Sequence, residues 1–372
     1  MRTFVLIITS VLAFVWLYIW FRLVSPATPP AALQIPLAAF FFVSFGLQPA
    51  RWLLHDFFHD RRGLQLVTYL LLGLMAQLFV ATLAKDVLLL ALSYSPYGDF
   101  LFSSAGQRQI SLATFAIAAL GNLWGVRTAW AGPAVVEINV KLPHWPSGAP
   151  PFLLAQISDL HVGPLIKKPY VEKVVAKLNA LHADAVAVTG DLGDSFVHEL
   201  TEDLASLRDI RSRHGTFYVI GNHEYYWNAQ SWMKAGRALG FHVLFNEGEK
   251  IAHGNGHLWI GGVPDYSAGN ASQPEKALPK KSAADMPKIL LAHQPKSVFA
   301  AAKAGFDLML SGHTHNGQFF PFNLLVGKFN PYSKGLNQHE HLQVYVNVGT
   351  GFWGPPLRLW VPAEITLLRL HG

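Results

Sequence analysis

Four long apolar runs occupy the first third of the chain, and short apolar runs alternate with amphipathic segments through the rest. The first run carries no charge from Thr3 to Phe21, about the length of one bilayer crossing as a helix. Four such runs so close together favour membrane-spanning helices over a buried helical domain. We expect an all-α transmembrane region over residues 1–133, with spans at 3–21, 32–48, 64–84 and 109–126.

Aromatic residues and arginines around these runs predict how they sit in a membrane. Trp16 and Trp20 are typical of an interfacial belt and no small-residue cleavage site follows, so the first run is interpreted as a span, not a signal peptide. The loop between the second and third spans contains Arg51, Arg61 and Arg62, which predicts a cytoplasmic loop. Both termini, and the rest of the chain, would then face the cytoplasm in a multi-pass protein of the cell (inner) membrane.

From residue 134 the pattern changes to that of an α/β domain. The alternating run 135–140 predicts an edge strand. Short apolar runs predict further strands at 152–157, 185–188, 217–220, 258–260, 288–291, 308–310 and 344–348. Segments of helical period lie between the first of these strands, at 170–181, 200–210 and 229–239. We therefore expect a second domain over 134–372.

Composition supports the division into two domains and limits the classes of partner. Charged residues make up only 14%, below the usual share for a soluble protein. The first 133 residues carry eight Lys/Arg and four Asp/Glu, and the rest carry 21 and 19. The absence of cysteine excludes disulfides and thiolate-bound zinc. The net charge of +6 comes without a long basic run, so we expect no nucleic-acid partner, and an anionic lipid surface fits better.

Five polar blocks follow predicted strands at their carboxyl ends, where open α/β sheets bind ligands. They are Asp159-Leu160-His161, Gly190-Asp191-Leu192-Gly193-Asp194, Gly221-Asn222-His223-Glu224, the single His293, and Gly312-His313-Thr314-His315. Carboxylate, amide and imidazole groups are the donors that hard and borderline divalent ions prefer. Together the blocks predict a site for two divalent metal ions that activates water against phosphorus through a bridging hydroxide.

Individual residues suit separate tasks in such a site. Asp191 has two oxygens and can bridge two ions, while Asn222 offers a neutral oxygen. His223 can protonate a leaving oxygen, and Asp194 can fix the tautomer of that imidazole, although it can also cap the next helix. Glu224 is interpreted as a capping residue outside the site.

The blocks resemble the signature of the calcineurin-like metallophosphoesterase superfamily, D-x-H, G-D-x-x-D, G-N-H-[DE], H and G-H-x-H, without departure. The resemblance covers residues 134–372. The stretch from Gly312 through Pro355-Pro356-Leu357-Arg358 to Thr366 further resembles the membrane-associated bacterial branch, with its YkuE-like and YaeI-like proteins. The implied fold is a four-layer α/β/β/α sandwich, two β-sheets packed between helices.

The resemblance also implies a role for each residue. Ligands of the first metal would be Asp159, His161, Asp191 and His315. Ligands of the second would be Asp191, Asn222, His293 and His313. His223 and Asp194 would form the catalytic dyad. The metals could be Mn, Fe, Zn, Co or Mg, which the sequence does not distinguish.

We therefore expect a membrane-anchored phosphohydrolase that cleaves a phosphoester or pyrophosphate bond. An apolar stretch, 319–332, follows the last ligand block; it is either local core or a hydrophobic surface beside the site, and the second reading favours a lipid-linked or membrane-proximal phosphate as substrate. The alternatives are a non-catalytic membrane sensor or scaffold that binds metal or phospholipid, and a transporter using Lys85, Asp86 and His55. Other histidines are interpreted as structural or solvated: His182, His198, His214, His242, His253, His257, His339, His341 and His371.

Overall fold

The computed structural model describes residues 2–54, 57–58, 61–279 and 286–372. His55 lies outside the described residues. The chain forms two compact units. The first comprises Met1–Arg127 with Gly354–Leu359, and the second comprises Thr128–Trp353 with Trp360–Gly372.

The first unit is helical. Helix α1 (Arg2–Ile19) continues through a π-helical turn at Trp20–Val24 and a 3₁₀ turn at Ser25–Ala27. The other helices are α2 (Ala31–Leu53), α3 (Arg62–Leu92), α4 (Gly98–Phe102) and α5 (Ser104–Ala131). In the described part of the chain, four helical stretches are long and apolar enough to cross a membrane: Leu6–Ala27, Ala31–Arg51, Arg62–Leu92 and Ser104–Ala131. The expectation of about four apolar helices is confirmed.

Several polar side chains of this unit pair with one another, which lowers the cost of placing them in a membrane. The Trp16 indole donates to the Ser44 hydroxyl at 2.8 Å. The Asp86 carboxylate lies 2.8 Å from the Arg22 guanidinium and 3.1 Å from the Lys85 ammonium. Lys85 and Asp86 therefore take part in an ion-pair network with α1.

The segment Gly354–Leu359 packs on glycines of the helices. A methyl group at Gly73 of α3 would lie 3.3 Å from Pro355, and one at Gly125 of α5 would collide with Leu357. The amide of Arg358 donates to the carbonyl of Gly125 at 2.9 Å. Small residues thus let this segment approach the helix backbones closely.

The second unit contains twelve strands in its described residues. They are β1 (Ala134–Lys141), β2 (Phe152–Ile157), β3 (Ala185–Thr189), β4 (Thr216–Val219), β5 (His242–Val243), β6 (Glu247–His253), β7 (Gly256–Gly262), β8 (Lys288–Leu291), β9 (Leu308–Ser311), β10 (Gly335–His339), β11 (Leu342–Val346) and β12 (Glu364–His371). One sheet has the order β1-β12-β2-β3-β4-β5 and the other β10-β11-β9-β8-β7-β6. In the first sheet β2, β3, β4 and β5 run parallel.

One hydrophobic core lies between the two sheets. It joins Phe152, Leu154 and Phe217 of the first sheet to Ile260 and Leu310 of the second, all at most 1% exposed. These side chains alternate along each strand with others that face the helices, as the two-residue period of a strand dictates.

Helices cover the outer faces of both sheets. The first sheet is covered by α6 (Lys168–Asn179), α7 (Val197–Leu204) and α9 (Ala229–Ala238), and a short helix α8 (Asn222–Tyr226) follows β4. Helix α10 (Val298–Ala304) covers the second sheet. Helix α6 buries Val171, Val174 and Val175, spaced as one helical face. The expected four-layer α/β/β/α sandwich, preceded in the chain by apolar helices, is confirmed.

Four strands were not predicted. Strands β5, β6 and β10 are short or polar, so they lack a clear apolar signal. Strand β12 returns from the end of the chain to lie between β1 and β2, pairing parallel with β1 and antiparallel with β2. Such non-local pairing leaves no mark in the local sequence.

Phe217→Ala should destabilise the sandwich strongly, because it removes a fully buried ring from the core between the sheets. We expect a loss of about 3–5 kcal/mol in the free energy of unfolding. Urea unfolding of the full chain in detergent, followed by tryptophan fluorescence, measures it. Val135→Ala at a 41% exposed position is the control and should change stability by less than about 0.5 kcal/mol. Equal losses in both variants would contradict the packing described.

Candidate metal centre

The five polar blocks meet at one edge of the sandwich. Three follow β2, β3 and β4 of the first sheet, and two follow β8 and β9 of the second. Hydrogen bonds continue between the strand tails: the amide of Asp159 donates to Gly190 at 3.0 Å, and that of His161 donates to Asp191 at 3.1 Å. The amide of Gly312 likewise donates to His293 at 2.9 Å. Parallel strands therefore place all nine predicted side chains at one edge.

The glycines that open three of the blocks make room for a ligand on a neighbouring strand. A Cβ at Gly221 would collide with the Asp191 carboxylate, and one at Gly312 would collide with the Asp159 carboxylate. Gly190 has a φ of +88°, and a Cβ there would lie 2.6 Å from the His293 ring. The glycines are therefore needed for close approach between blocks.

Backbone strain is concentrated at the same positions. Asp159, His161, Asp191, His313 and His315 all have φ between +47° and +69°. Residues other than glycine adopt this left-handed region rarely, at a cost of order 1–3 kcal/mol each. The surrounding hydrogen bonds hold this conformation, and strain of this kind is typical of functional sites.

Asp159, His161 and His315 form one candidate cluster. The Nε2 atom of His315 lies 3.2 Å from Oδ1 of Asp159 and 3.0 Å from Nε2 of His161. The Asp159 carboxylate also accepts the amide of His313 at 2.9 Å and the hydroxyl of Ser158 at 2.5 Å. Two imidazole nitrogens and a carboxylate oxygen thus point at one place.

Asp191, His293 and His313 form the second cluster. Oδ2 of Asp191 lies 3.2 Å from Nε2 of His293, which is also 3.1 Å from Oδ1 of Asn222. The same Asp191 oxygen is 4.0 Å from Nε2 of His161 in the first cluster. Asp191 therefore stands between the clusters, where a shared ligand would have to be.

The donor set fits divalent metal ions. Asp159 and Asp191 are at most 2% exposed and lie among imidazoles, and Nδ1 of His293 lies 2.7 Å from the carbonyl of Thr189, which leaves Nε2 to face the cluster. A second hydrogen bond of this kind is typical of metal-bound histidine. Oxygen and nitrogen donors in these proportions suit Mn, Fe, Zn or Co.

His223 and Asp194 lie beside the clusters. Oδ1 of Asp194 is 2.6 Å from Nδ1 of His223 and 2.9 Å from Nδ1 of His161. Asp194 can therefore orient both rings and direct both Nε2 atoms inward. The His223 amide donates to Asp191 Oδ1 at 2.9 Å, which ties this loop to the shared carboxylate.

Electrostatics keep the carboxylates ionised. Burial alone would raise the pKa of Asp159, Asp191 and Asp194, but the surrounding histidines hold each pKa below its usual range. Burial alone would lower the pKa of His223, but Asp194 and Asp191 raise it to about 9. The carboxylates and the His223 ring thus stabilise each other's charged forms.

Glu224 does more than the capping role expected of it. It is fully buried, and its Oε2 accepts the amides of Gly221 at 2.6 Å and Asp191 at 3.0 Å. Its Oε1 accepts the amide of Leu192 at 2.6 Å. One carboxylate therefore holds two ligand loops in register. In the sequence, the only indication of this role was the position of Glu224 directly after Gly221-Asn222-His223.

Two aromatic rings lie beside His223. The ring centroid of Trp353 lies 6.0 Å from that of His223, and that of Tyr226 lies 5.2 Å away. The Trp353 backbone exchanges two hydrogen bonds with the Gln318 side chain, at 2.7 and 2.8 Å. These contacts arise from loops far apart in the chain, so sequence spacing does not reveal them.

Comparison with known proteins identifies the family. The model of the calcineurin-like phosphoesterases matches residues 152–317. An uncharacterized metallophosphoesterase of Helicobacter pylori is 37% identical over 318 residues, covering 79% of this chain and 83% of that protein. The chain belongs to the calcineurin-like phosphoesterase family. The matched residues include all nine predicted side chains.

Two further relatives are a transmembrane protein and a second bacterial protein. A transmembrane protein with metallophosphoesterase domain from Danio rerio is 31% identical over 392 aligned positions, covering 99% of this chain and 89% of that protein. The metallophosphoesterase YkuE of Bacillus subtilis is 29% identical over 248 residues, covering 63% of this chain and 85% of that protein. Like the Danio rerio relative, which is named as a transmembrane protein, this calcineurin-like phosphoesterase has helices long and apolar enough to cross a membrane, four of them among its described residues.

Glu224→Gln should loosen the metal centre, because an amide nitrogen would face backbone amides that now share a carboxylate. We expect metal affinity to fall about 10–100-fold, as for other residues that orient ligands. Competition with a metal chelator on the purified full chain measures this. Glu172→Gln on the exposed face of α6 is the control and should bind as wild type does. Unchanged affinity in Glu224→Gln would argue against a positioning role.

Proposed function

We propose that this protein is a membrane-anchored, dinuclear-metal phosphoesterase that hydrolyses a phosphoester or pyrophosphate bond of a lipid-linked or membrane-proximal substrate. The proposal extends the family assignment in three respects: which residues do the chemistry, what substrate they act on, and where. Its domains would be the transmembrane region 1–133 and the catalytic region 134–372, with the catalytic region facing the cytoplasm.

The observation that carries the proposal is the position of Asp191 between two ligand clusters. Its Oδ2 lies 3.2 Å from His293 and 4.0 Å from His161, members of different clusters. We assign the first metal to Asp159, His161, Asp191 and His315. We assign the second to Asp191, Asn222, His293 and His313. Paired ions of this kind supply Lewis-acid activation of the phosphoryl group and of water.

His223 is the proposed general acid. The Asp194 carboxylate raises the pKa of His223, which favours the protonated ring, and it holds Nδ1 so that Nε2 faces the clusters. When the phosphorus–oxygen bond of the leaving group breaks, Nε2 can give its proton to the departing oxygen. Asp194 would then stabilise the orientation of the neutral ring.

An apolar surface on the catalytic unit supports a lipid-linked substrate. In the stretch 319–332, Phe322, Leu324, Leu325 and Phe329 are 39%, 66%, 45% and 73% exposed. Gln318, which precedes the stretch, holds the Trp353 loop beside His223. Large apolar side chains in contiguous exposed segments mark interaction surfaces. An acyl chain or bilayer surface is the partner that an anchored enzyme meets most readily.

Chain order also favours a membrane-proximal substrate. Helix α5 ends at Ala131 and β1 begins at Ala134, so Gly132 and Pro133 alone link the last apolar helix to the first strand. A link this short spans at most about 10 Å. The catalytic region would therefore be anchored by a short connection, which supports a substrate held at the membrane.

Substitution of Asp191 and of His223 should separate metal binding from chemistry. Asp191→Asn should lose both bound metal and hydrolysis, since it weakens both sites. His223→Asn should keep its metal but lower kcat by about 10²–10⁴-fold, because only the proton donor is lost. Metal analysis and phosphate release on full-length protein measure both. His198→Gln, at a largely exposed side chain, is the control. Full activity in Asp191→Asn would refute the mechanism.

Leu324→Ser with Phe329→Ser should impair hydrolysis of lipid-linked substrates selectively. We expect kcat/KM for a lipid pyrophosphate in mixed micelles to fall about tenfold or more, since two exposed apolar contacts are lost. Hydrolysis of soluble bis(p-nitrophenyl) phosphate should be unchanged. Phe299→Ser, 60% exposed on α10, is the matched control. A wild-type preference for the soluble diester would reject the lipid-linked substrate while leaving the metal chemistry intact.

A further inference from the structure

A second group of metal-ligating side chains lies at the opposite edge of the sandwich. Asp184 directly precedes β3 and His214 lies just before β4, so both stand at the amino ends of strands in the first sheet. His253 ends β6 in the second sheet. One donor atom from each of the three lies within 4.8 Å of the others. The catalytic blocks follow the carboxyl ends of β3 and β4, so these two groups occupy different edges.

The histidines of this group carry unused nitrogens. His253 is 6% exposed, yet neither Nδ1 nor Nε2 has a hydrogen-bond partner among the described residues. Nε2 of His214 is likewise buried without a partner in the described part of the chain. Buried polar nitrogens without partners are unfavourable, so three in one place point to a ligand that would satisfy them.

The Asp184 carboxylate is oriented toward these nitrogens. Its Oδ2 accepts the amide of Leu153 at 2.8 Å, which fixes the group. Its Oδ1 lies 3.7 Å from Nδ1 of His253, too far for a hydrogen bond but close enough to share an ion. The carbonyl of the same residue accepts the amide of His214 at 2.7 Å. This backbone hydrogen bond fixes the positions of Asp184 and His214 relative to each other.

Aromatic rings enclose the group. Phe152 stacks on His214 with centroids 5.8 Å apart and meets His253 edge-on at 5.1 Å. Trp145 lies on the other side of His253 at 6.4 Å and is itself buried. An apolar shell of this kind limits access of water and strengthens the attraction between a cation and its ligands.

We propose that Asp184, His214 and His253 bind a third divalent metal ion, of the zinc class, which cross-links the two sheets. Two imidazoles and one carboxylate suit Zn²⁺ and similar borderline ions, with water in the fourth position. Nitrogen and oxygen donors around a tetrahedral zinc ion lie about 3.4 Å apart. The Asp184–His253 pair is already at 3.7 Å, and side-chain rotation would bring all three donors, now within 4.8 Å of one another, to that spacing. The ion would link the two sheets at the edge away from the catalytic blocks, outside the phosphohydrolase site.

The test is the zinc content of full-length protein in detergent after dialysis against chelator-buffered Zn²⁺. His253→Gln and Asp184→Asn should each bind about one ion per chain fewer than wild type while keeping its phosphohydrolase activity. His257→Gln is the matched control, because this exposed histidine lies on the neighbouring strand β7. Equal zinc content in His253→Gln and His257→Gln overturns the proposal.

A second measurement needs no variant. Wild-type crystals equilibrated with Zn²⁺ should show an anomalous difference peak at the zinc edge between Asp184, His214 and His253. A peak there supports the site even if the variants fail to fold. Peaks confined to the catalytic edge overturn it.

Discussion

The burial of ionised carboxylates at one edge of the sandwich is the constraint on which the rest of the site depends. Asp159 and Asp191 are almost wholly removed from solvent, and neutralising them by protonation is opposed by the histidines around them. Charges this deeply buried are tolerated only when cations compensate them. The close-approach glycines, the left-handed backbone and the Glu224 cross-link all serve to hold these carboxylates where cations can reach them.

Local patterns predicted the parts of the molecule that depend on neighbours in the chain. The strand before Asp159 and the strand before Asp191 were evident, because apolar runs that end in polar blocks are local features. The convergence of those blocks followed from the rule that parallel strands share a carboxyl edge. The family signature then implied which residue would bind which ion, which spacing alone does not supply.

Other parts depend on contacts between distant segments and were not predictable in this way. Strand β12 pairs beside β1 across more than two hundred residues, and Trp353 reaches His223 through a loop held by Gln318. His253 illustrates the same limit: an isolated histidine in a polar strand is ordinarily structural, and only the opposing sheet supplies Asp184 and His214. Such juxtapositions emerge from sheet packing and register.

The division of the proposed metal ligands between the two sheets has a consequence for how the protein matures. Asp159, Asp191 and Asn222 belong to one sheet, whereas His293 and His313 belong to the other. Neither half can chelate a full pair of ions before the halves dock, so nascent chains should capture metal late, after collapse. If metal is scarce, the contact between the two sheets at this edge should weaken first. The hydrogen bonds within each sheet should remain largely intact.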